Sequence, residues 1–518
     1  MPATPNTDLS PELLEHMQRI KAKAMEYGLD FFEVVFEVLP FEVMNQIASY
    51  GGFPTRYPHW RWGMEYEKLS KRDAYGLGRI YEMVINNDPC YAYLQESNAV
   101  TDQKLVMAHV YGHADFFKNN FWFAKTNRKM MDEMANHATR VRRHVERHGQ
   151  DVVERFIDAC LSIENLIDPH SVYKAKAPVK RTTQTREGDG EAEDGGFHAQ
   201  KLPAKDYMDP FINPQTEIDR QRKVYEKELE EQGKKFPAAP ARDVLLFLLQ
   251  FARLEDWQQD ILGIVRDEAY YYAPQGMTKI MNEGWATYWH SKLMTQHFLE
   301  AKEIVHYADQ HSGVVYMPPG GFNPYKIGVE LFKDIERRWD KGQHGTAWED
   351  LETIGAKGRY DDKSMQGRAK IFEVRRIYND VSFIDEFLTE DFVERLNMYQ
   401  HGRDPQTGEV KIVSRDYKRV KQTLLHHITN AGQPFIYVVD ANYKNRGELM
   451  LAHKFSGVEV EFAKASEVLA ALRLIWGRPV HIMMTVNDER DIVSMIELGG
   501  KISRERVNDD TPKPAHTV

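Results

Sequence analysis

A segment that is apolar on every side of a helix has to be enclosed by other elements, and residues 105–117 form such a segment. At about 100° per residue, Leu105, Val106, Phe116 and Phe117 share one side with His109 and His113, while Met107, Val110, Tyr111 and Ala114 cover the other. The chain must therefore build a body large enough to surround it. Buried imidazoles in turn need hydrogen-bond partners or a metal. The spacing i, i+4 leaves two readings open: a pair of metal ligands, or two core histidines bonded to backbone carbonyls. A second pair with this spacing, His144 and His148, stands among Arg142, Arg143 and Arg147 and reads as a solvated basic face.

Helical signals fill most of the chain around that segment. Ser10 and Pro11 mark an N-cap and a first helical position. Helix then follows helix to about residue 172, with few strand-like runs. Periodicity returns with "ARDVLLFLLQFARLEDWQQDILGIVRDEAYYY" at 241–272 and continues, past the turn-rich "MPPGGFNPY", to about residue 400. Residues 173–208 are rich in charge, Thr and Gly without apolar periodicity, which predicts a disordered insertion. Near the C-terminus "PFIYVVD" and "ELMLAHKF" predict strands joined by the turn "ANYKNRG"; a helix, "KASEVLAALRLIW", and a strand, "RPVHIMMTV", follow. The expected fold is a mainly α body in two parts, 1–172 and 209–400, with the insertion 173–208 and a small C-terminal α+β domain at 401–518.

Composition narrows the function classes. Lys and Arg total 68 against 78 Asp and Glu, with no tail of one sign, so neither nucleic acid nor anionic lipid is an expected partner. Cys90 and Cys160 are the only cysteines, too few for a disulfide framework, which fits a reducing cytoplasm. The N-terminal residues lack the order of a signal peptide, and "VLLFLL" is too short to span a membrane. A soluble, cytoplasmic protein is expected.

The second informative stretch is "KIMNEGWATYWHSKLM", 279–294. Glu283, Thr287 and His290 share one helical face, and Met281, Trp285, Tyr288 and Trp289 the other. Lys279 favours reading the polar face as solvent-exposed, whereas Ile280 and Met294 favour a cleft. Together with His109 and His113, Glu283 would complete a nitrogen and oxygen ligand set suited to zinc or another first-row divalent metal, with His290 as a possible fourth ligand. In the H-E-x-x-H helix of metallopeptidases a Glu follows the first His as general base; here that position is Val110. Glu65, Asp115, Glu164 and Glu268 are the carboxylates considered in its place, and the sequence does not choose among them. His59, in the aromatic "RYPHWRWGMEYE", reads as another ligand candidate or as a core or cap histidine. Asp260, Arg266 and Glu268 read as an ion network behind the metal helix or as an exposed face, and Arg375, Asn379 and Asp380 are equally ambiguous. Asn323 and Tyr325, after Gly320 and Gly321, line a cleft or shape a tight turn.

Several segments, "PFEVMNQIASYGGFPTRYPHWRWG", "AHVYGHADFFKNNFWF", "APQGMTKIMNEGWATYWH", "NPYKIGVELF", "FEVRRIYNDVSFIDEFLTEDF" and "GQPFIYVVDANYKNRGEL", together resemble the stage V sporulation protein R family. The resemblance spans about residues 12–505 apart from the insertion. It implies a role in forming the spore cortex, a peptidoglycan layer. In bacteria that do not sporulate it implies a stress or stationary-phase role beside a serine protein kinase and a protein with a von Willebrand-like domain. It brings no established reaction. Locally, "NEGWATYWH" is similar to the helix of gluzincin metallopeptidases that supplies the third zinc ligand, which implies Glu283 in that role and His109 and His113 as the two helix histidines. The likeness departs at Val110 and in the long separation of the two elements.

The function expected first is a metal-dependent hydrolase acting on a peptidoglycan precursor or another peptide or amide bond. In it His109, His113 and Glu283 hold a divalent metal, zinc foremost, and Glu283 and His290 are catalytic, His290 as fourth ligand or proton carrier. The alternative is a non-catalytic regulatory or scaffold protein that works with a kinase and docks it through the C-terminal module. A carboxylate-bridged di-iron bundle would need paired Glu-x-x-His elements, and "EIVH" at 303–306 is the only one.

Overall fold

The structure, a computed structural model, describes residues 9–74, 82–174, 208, 214–216, 218–223, 236–403, 408–487, 489–497, 499–508 and 511–518. The insertion expected at 173–208 lies, but for residues 173, 174 and 208, outside the described residues. The principal elements in chain order are α1 (Pro11–Glu26), β1 (Val34–Leu39), α2 (Phe41–Ser49), α3 (Trp60–Ala74), β2 (Glu82–Ile85), β3 (Cys90–Gln95), α4 (Val100–Asn119), α5 (Met130–His148) and α6 (Gln150–Leu161). Next come α7 (Val244–Phe251), α8 (Asp256–Met277), α9 (Lys279–Leu293), α10 (Ile304–Val314), α11 (Pro324–Asp340), α12 (Gly367–Ile377) and α13 (Asp380–Phe387). The chain ends with β4 (Gln400–Arg403), β5 (Val410–Ser414), α14 (Tyr417–Ile428), β6 (Ile436–Tyr443), β7 (Glu448–His453), α15 (Phe462–Trp476), β8 (Val480–Val486), β9 (Glu489–Met495) and β10 (Ser503–Arg506).

Two compact units divide the chain: Met1–Glu154 with Asp267–Gln433, and Arg155–Arg266 with Pro434–Val518. The first is mainly helical and is built round α4, in which every residue from Val106 to Phe117 is buried. Two close helix contacts set its spacing. A Cβ on Gly112 of α4 would lie 2.7 Å from Ala286 Cα of α9, and Gly284 of α9 meets the backbone of Gly328 in α11. Trp285, Trp289, Phe332 and Phe372 interlock edge to face around α9. At the start of α1, Ser10 Oγ accepts from Leu13 N at 3.3 Å, as its N-cap pattern predicts.

The first unit also holds a three-stranded sheet of order β1-β3-β2, with β1 parallel and β2 antiparallel to β3. The sequence reading passes over it because the runs are short and β3 is buried at nearly every position, so polar and apolar residues do not alternate along it. The second unit contains a five-stranded sheet, β10-β9-β8-β7-β6, in which β7 and β8 run parallel and are joined by α15. Its β6–β7 turn uses Lys444, Asn445 and Gly447 at positive φ, as "ANYKNRG" suggests.

The domain division differs from the sequence expectation at both ends. Residues 155–266 belong with the C-terminal strands: Ala241 pairs with Val438 of β6 in a β-bridge. The hairpin β4–β5 and α14 belong instead with the helical unit, where Tyr417 donates to Leu388 O. Chain continuity guided the sequence boundaries, whereas hydrogen bonding between distant segments decides the actual ones. Among the described residues no helix is long and apolar enough to cross a membrane.

Two buried carboxylates fix α9 in place. Asp380, at the start of α13, accepts from Ile280 N at 2.8 Å and Met281 N at 2.9 Å, capping a helix whose own N-cap residue, Thr278, donates its hydroxyl back to Pro274 O instead. Asp115 of α4 accepts from Trp285 Nε1 and from Asp30 N, both at 2.8 Å, and lies 3.4 Å from Arg375 Nε of α12. Removing Asp115 strands a buried guanidinium and an indole N–H, so Asp115→Ala is expected to cost about 3–5 kcal/mol in denaturant unfolding. Burial pushes the Asp380 carboxyl up to about 7, against the pull of the backbone N–H groups. Between the ordinary carboxylate range and that value the folded chain keeps a proton the unfolded chain has lost, so wild-type stability falls as pH rises. Asp380→Asn cannot ionise; its stability deficit relative to wild type is expected to shrink by about 4 kcal/mol between pH 4 and 8. A deficit independent of pH in parallel urea melts would contradict this.

Candidate metal centre

Helix α4 carries His109 and His113 one turn apart, their ring centroids 4.6 Å from each other and their planes at 75°. The close contact at Gly112 brings α9 up against them, so that Glu283 Oε2 lies 3.5 Å from His113 Nε2 and 3.8 Å from His109 Nε2. All three donor atoms fall within 4.8 Å of one another. The two N···O separations are long for hydrogen bonds, but near the roughly 3.4 Å between neighbouring ligand atoms of a tetrahedral ion with bonds of about 2.1 Å. Glu283 Oε2 is buried and has no hydrogen-bond partner among the described residues. Burial alone would raise its pKa; His109 and His113 outweigh that and hold the carboxyl well below its usual range.

The far nitrogens of both rings are engaged. His113 Nδ1 lies 2.9 Å from Asn282 Oδ1, and because an amide oxygen only accepts, His113 donates its Nδ1 proton there and leaves Nε2 toward Glu283. His109 Nδ1 meets His290 Nδ1 at 2.7 Å, and His290 Nε2 meets His311 Nδ1 at 3.2 Å. Burial first, then Lys333 and Lys326, pull the pKa of His311 down.

The four residues expected as ligands therefore separate. His109, His113 and Glu283 come together, while His290 stands behind His109 on the nitrogen that faces away from Glu283. Helical projection puts a residue on a face and does not tell which side of an imidazole it will meet. The polar strip of α9 points inward: Thr287 and His290 are buried. Asn323 shapes the turn into α11, accepting from Tyr325 N at 2.9 Å and donating to Val314 O and Tyr316 O, both at 2.8 Å. Tyr325 reaches the centre, its ring stacked on His109 with centroids 6.3 Å apart.

Asp260, Arg266 and Glu268 do not form one network. Arg266 pairs with Asp243 at 2.7 Å, and it and Asp260 belong to the second unit. Glu268 belongs to the first, where Arg56 lies at 2.5 Å and His137 at 3.2 Å. Residues two apart on a helix face away from each other, which separates Arg266 from Glu268. Among the other carboxylates weighed as a base, Asp115 is bound to Trp285 and Asp30, Glu65 is 3.5 Å from Lys68, and Glu164 lies in the second unit. Val110, at the peptidase base position, is fully buried. Glu303 and His306 of "EIVH" pair with Lys104 and Asp102, and not with a second Glu-x-x-His element. His59 Nδ1 accepts from Arg61 N at 3.2 Å, a local turn contact.

Sequence reasoning missed Asn282 and His311. Asn282 had only the signal of a polar residue next to Glu283, because residues one apart on a helix diverge by about 100° and do not share a face. His311 had none, because only the fold of α10 brings it to His290.

A family model described as SpoVR like protein matches residues 8–433. The uncharacterized protein YcgB of Escherichia coli (strain K12) is 28% identical over 524 residues, covering 95% of each chain. No solved structure matches. With most of its length matched by that model, the chain belongs to the SpoVR-like family.

Proposed function

We propose that this protein is a metal-dependent hydrolase of a peptide or amide bond, in which His109, His113 and Glu283 hold a divalent ion, zinc foremost. One observation carries the reading: a buried carboxylate oxygen with no hydrogen-bond partner among the described residues faces two imidazole Nε2 atoms whose opposite nitrogens are already bonded. Two imidazoles and a carboxylate are the donor set of open, catalytic zinc sites. A bound ion would supply Lewis acidity toward a carbonyl or water oxygen.

The chain's own residues supply the rest. Asn282 holds the ring of His113, and His290 holds that of His109, the outer support that ligating histidines require. His290 and His311 form a chain of imidazoles leading away from His109, a route for a proton that needs no carboxylate. Tyr325 forms a wall over His109. The family resemblance points to a cytoplasmic peptidoglycan precursor as the amide substrate, in spore cortex formation or a stress response.

Val110 favours a second reading. A metallopeptidase helix without its glutamate suits a structural ion in a regulatory or scaffold protein that works with a serine protein kinase and a von Willebrand-like domain partner.

Metal analysis by mass spectrometry on untagged protein tests the centre. Wild type is expected to hold near one equivalent of a transition metal, and His113→Ala and Glu283→Gln to hold little. His290→Ala is expected to retain the ion with affinity reduced about 10- to 100-fold, as for an outer-shell partner. Metal-free wild type would overturn the reading, while a metal-loaded protein inert toward amide substrates would favour the scaffold.

A further inference from the structure

Thr287 is wholly buried in α9, and its hydroxyl has no hydrogen-bond partner among the described residues. We propose that this hydroxyl belongs to the metal centre, where it donates to the oxygen atom, of water or of a substrate carbonyl, that takes the ion's fourth position. The inference rests on the reading of His109, His113 and Glu283 as ligands.

A hydroxyl in a helix has a partner within reach, the carbonyl four residues back, and this chain uses it repeatedly. Thr139 donates to Ala135 O at 3.0 Å, Thr278 to Pro274 O at 2.6 Å, Thr295 to Ser291 O at 2.7 Å and Thr429 to Leu425 O at 2.6 Å. Thr287 makes no such bond to Glu283 O. Its burial also excludes water, and a buried hydroxyl left unpaired is destabilising, whereas valine would fill nearly the same space without that cost. Packing therefore accounts for the shape of the side chain and not for its oxygen.

The position of Thr287 on α9 supplies the missing partner. Residues three and four apart on a helix are neighbours, with Cβ atoms about 5–6 Å apart. Four residues before Thr287 stands Glu283, whose Oε2 lies 3.5 Å from His113 Nε2 and 3.8 Å from His109 Nε2. Three residues after it stands His290, which meets His109 at 2.7 Å. Thr287 is thus flanked on its own helix by two residues that both reach His109. Trp289 Nε1, also without a partner among the described residues, projects from the opposite side of α9, among Tyr27, Trp285 and Phe372, and takes no part in the centre.

Two imidazoles and a carboxylate leave zinc one position for an oxygen from outside the protein. A threonine hydroxyl suits that oxygen: it carries one donor and two acceptor sites and no charge, so it orients the incoming group without competing for the ion. On this account the hydroxyl is unsatisfied in the metal-free chain and satisfied in the loaded one, which ties ion binding to a single side-chain atom.

Zinc titration of the full chain in competition with a chromophoric chelator, cobalt absorption spectra and thermal melts test it. Thr287→Val, which keeps the shape and loses the hydroxyl, is expected to weaken zinc binding about tenfold or more, and Thr287→Ser, which keeps the hydroxyl, to stay within about threefold of wild type. The visible bands of bound cobalt should shift in Thr287→Val and return in Thr287→Ser. Stripped of metal, Thr287→Val should melt at or above the wild-type midpoint, and loaded with zinc it should melt below it. Wild-type zinc affinity in Thr287→Val would overturn this proposal alone, as would a midpoint lowered equally with and without the ion. Wild type that binds neither zinc nor cobalt would overturn the metal reading together with it.

Discussion

The close approach of α4, α9 and α11 is the constraint on which the helical unit depends. Gly112 against Ala286, and Gly284 against Gly328, let three helices meet almost backbone to backbone. At ordinary helix spacing His109 and His113 would face Glu283 across a gap too wide for one ion. The same closeness buries the polar groups on these faces, and buried polar groups call for partners.

Most of them do, and the pattern of satisfaction is informative. Asp115 collects an indole, a backbone amide and an arginine; Asp380 collects the first amides of α9. Asn282 and His290 engage the outward nitrogens of His113 and His109. Thr287 Oγ1 and Trp289 Nε1 of the same helix also lack a hydrogen bond among the described residues, but the inward-facing Oε2 of Glu283 differs in kind: it is a carboxylate oxygen with two imidazole nitrogens 3.5 and 3.8 Å away. A carboxylate kept ionised in such a place by two imidazoles is what a cation site looks like before the cation is considered.

The local likeness to gluzincin helices covers the residue types His, His and Glu and stops at the position of the base. Val110 is sealed in the core, and the nominated carboxylates are engaged in ion pairs or lie in the other unit. Proton movement in any hydrolytic cycle would therefore fall to imidazole, and the His109–His290–His311 series is the arrangement suited to it. The family relationship brings no reaction with it.

The apolar wrapping of residues 105–117 was enough to announce a buried helix, and helical spacing was enough to nominate His109, His113 and Glu283, because such periodicity is a local property of the chain. The C-terminal strands β6, β7 and β8 were legible for the same reason. Other features depend on which distant segments meet. The β1-β3-β2 sheet, the joining of residues 155–266 to the C-terminal strands, the capping of α9 by Asp380 and the placing of His290 behind His109 are all of this kind. The sequence alone determined which residues were available to ligate and on which helix faces they would stand. The tertiary structure alone decided which nitrogen of each imidazole points inward, because that depends on a partner contributed by another helix.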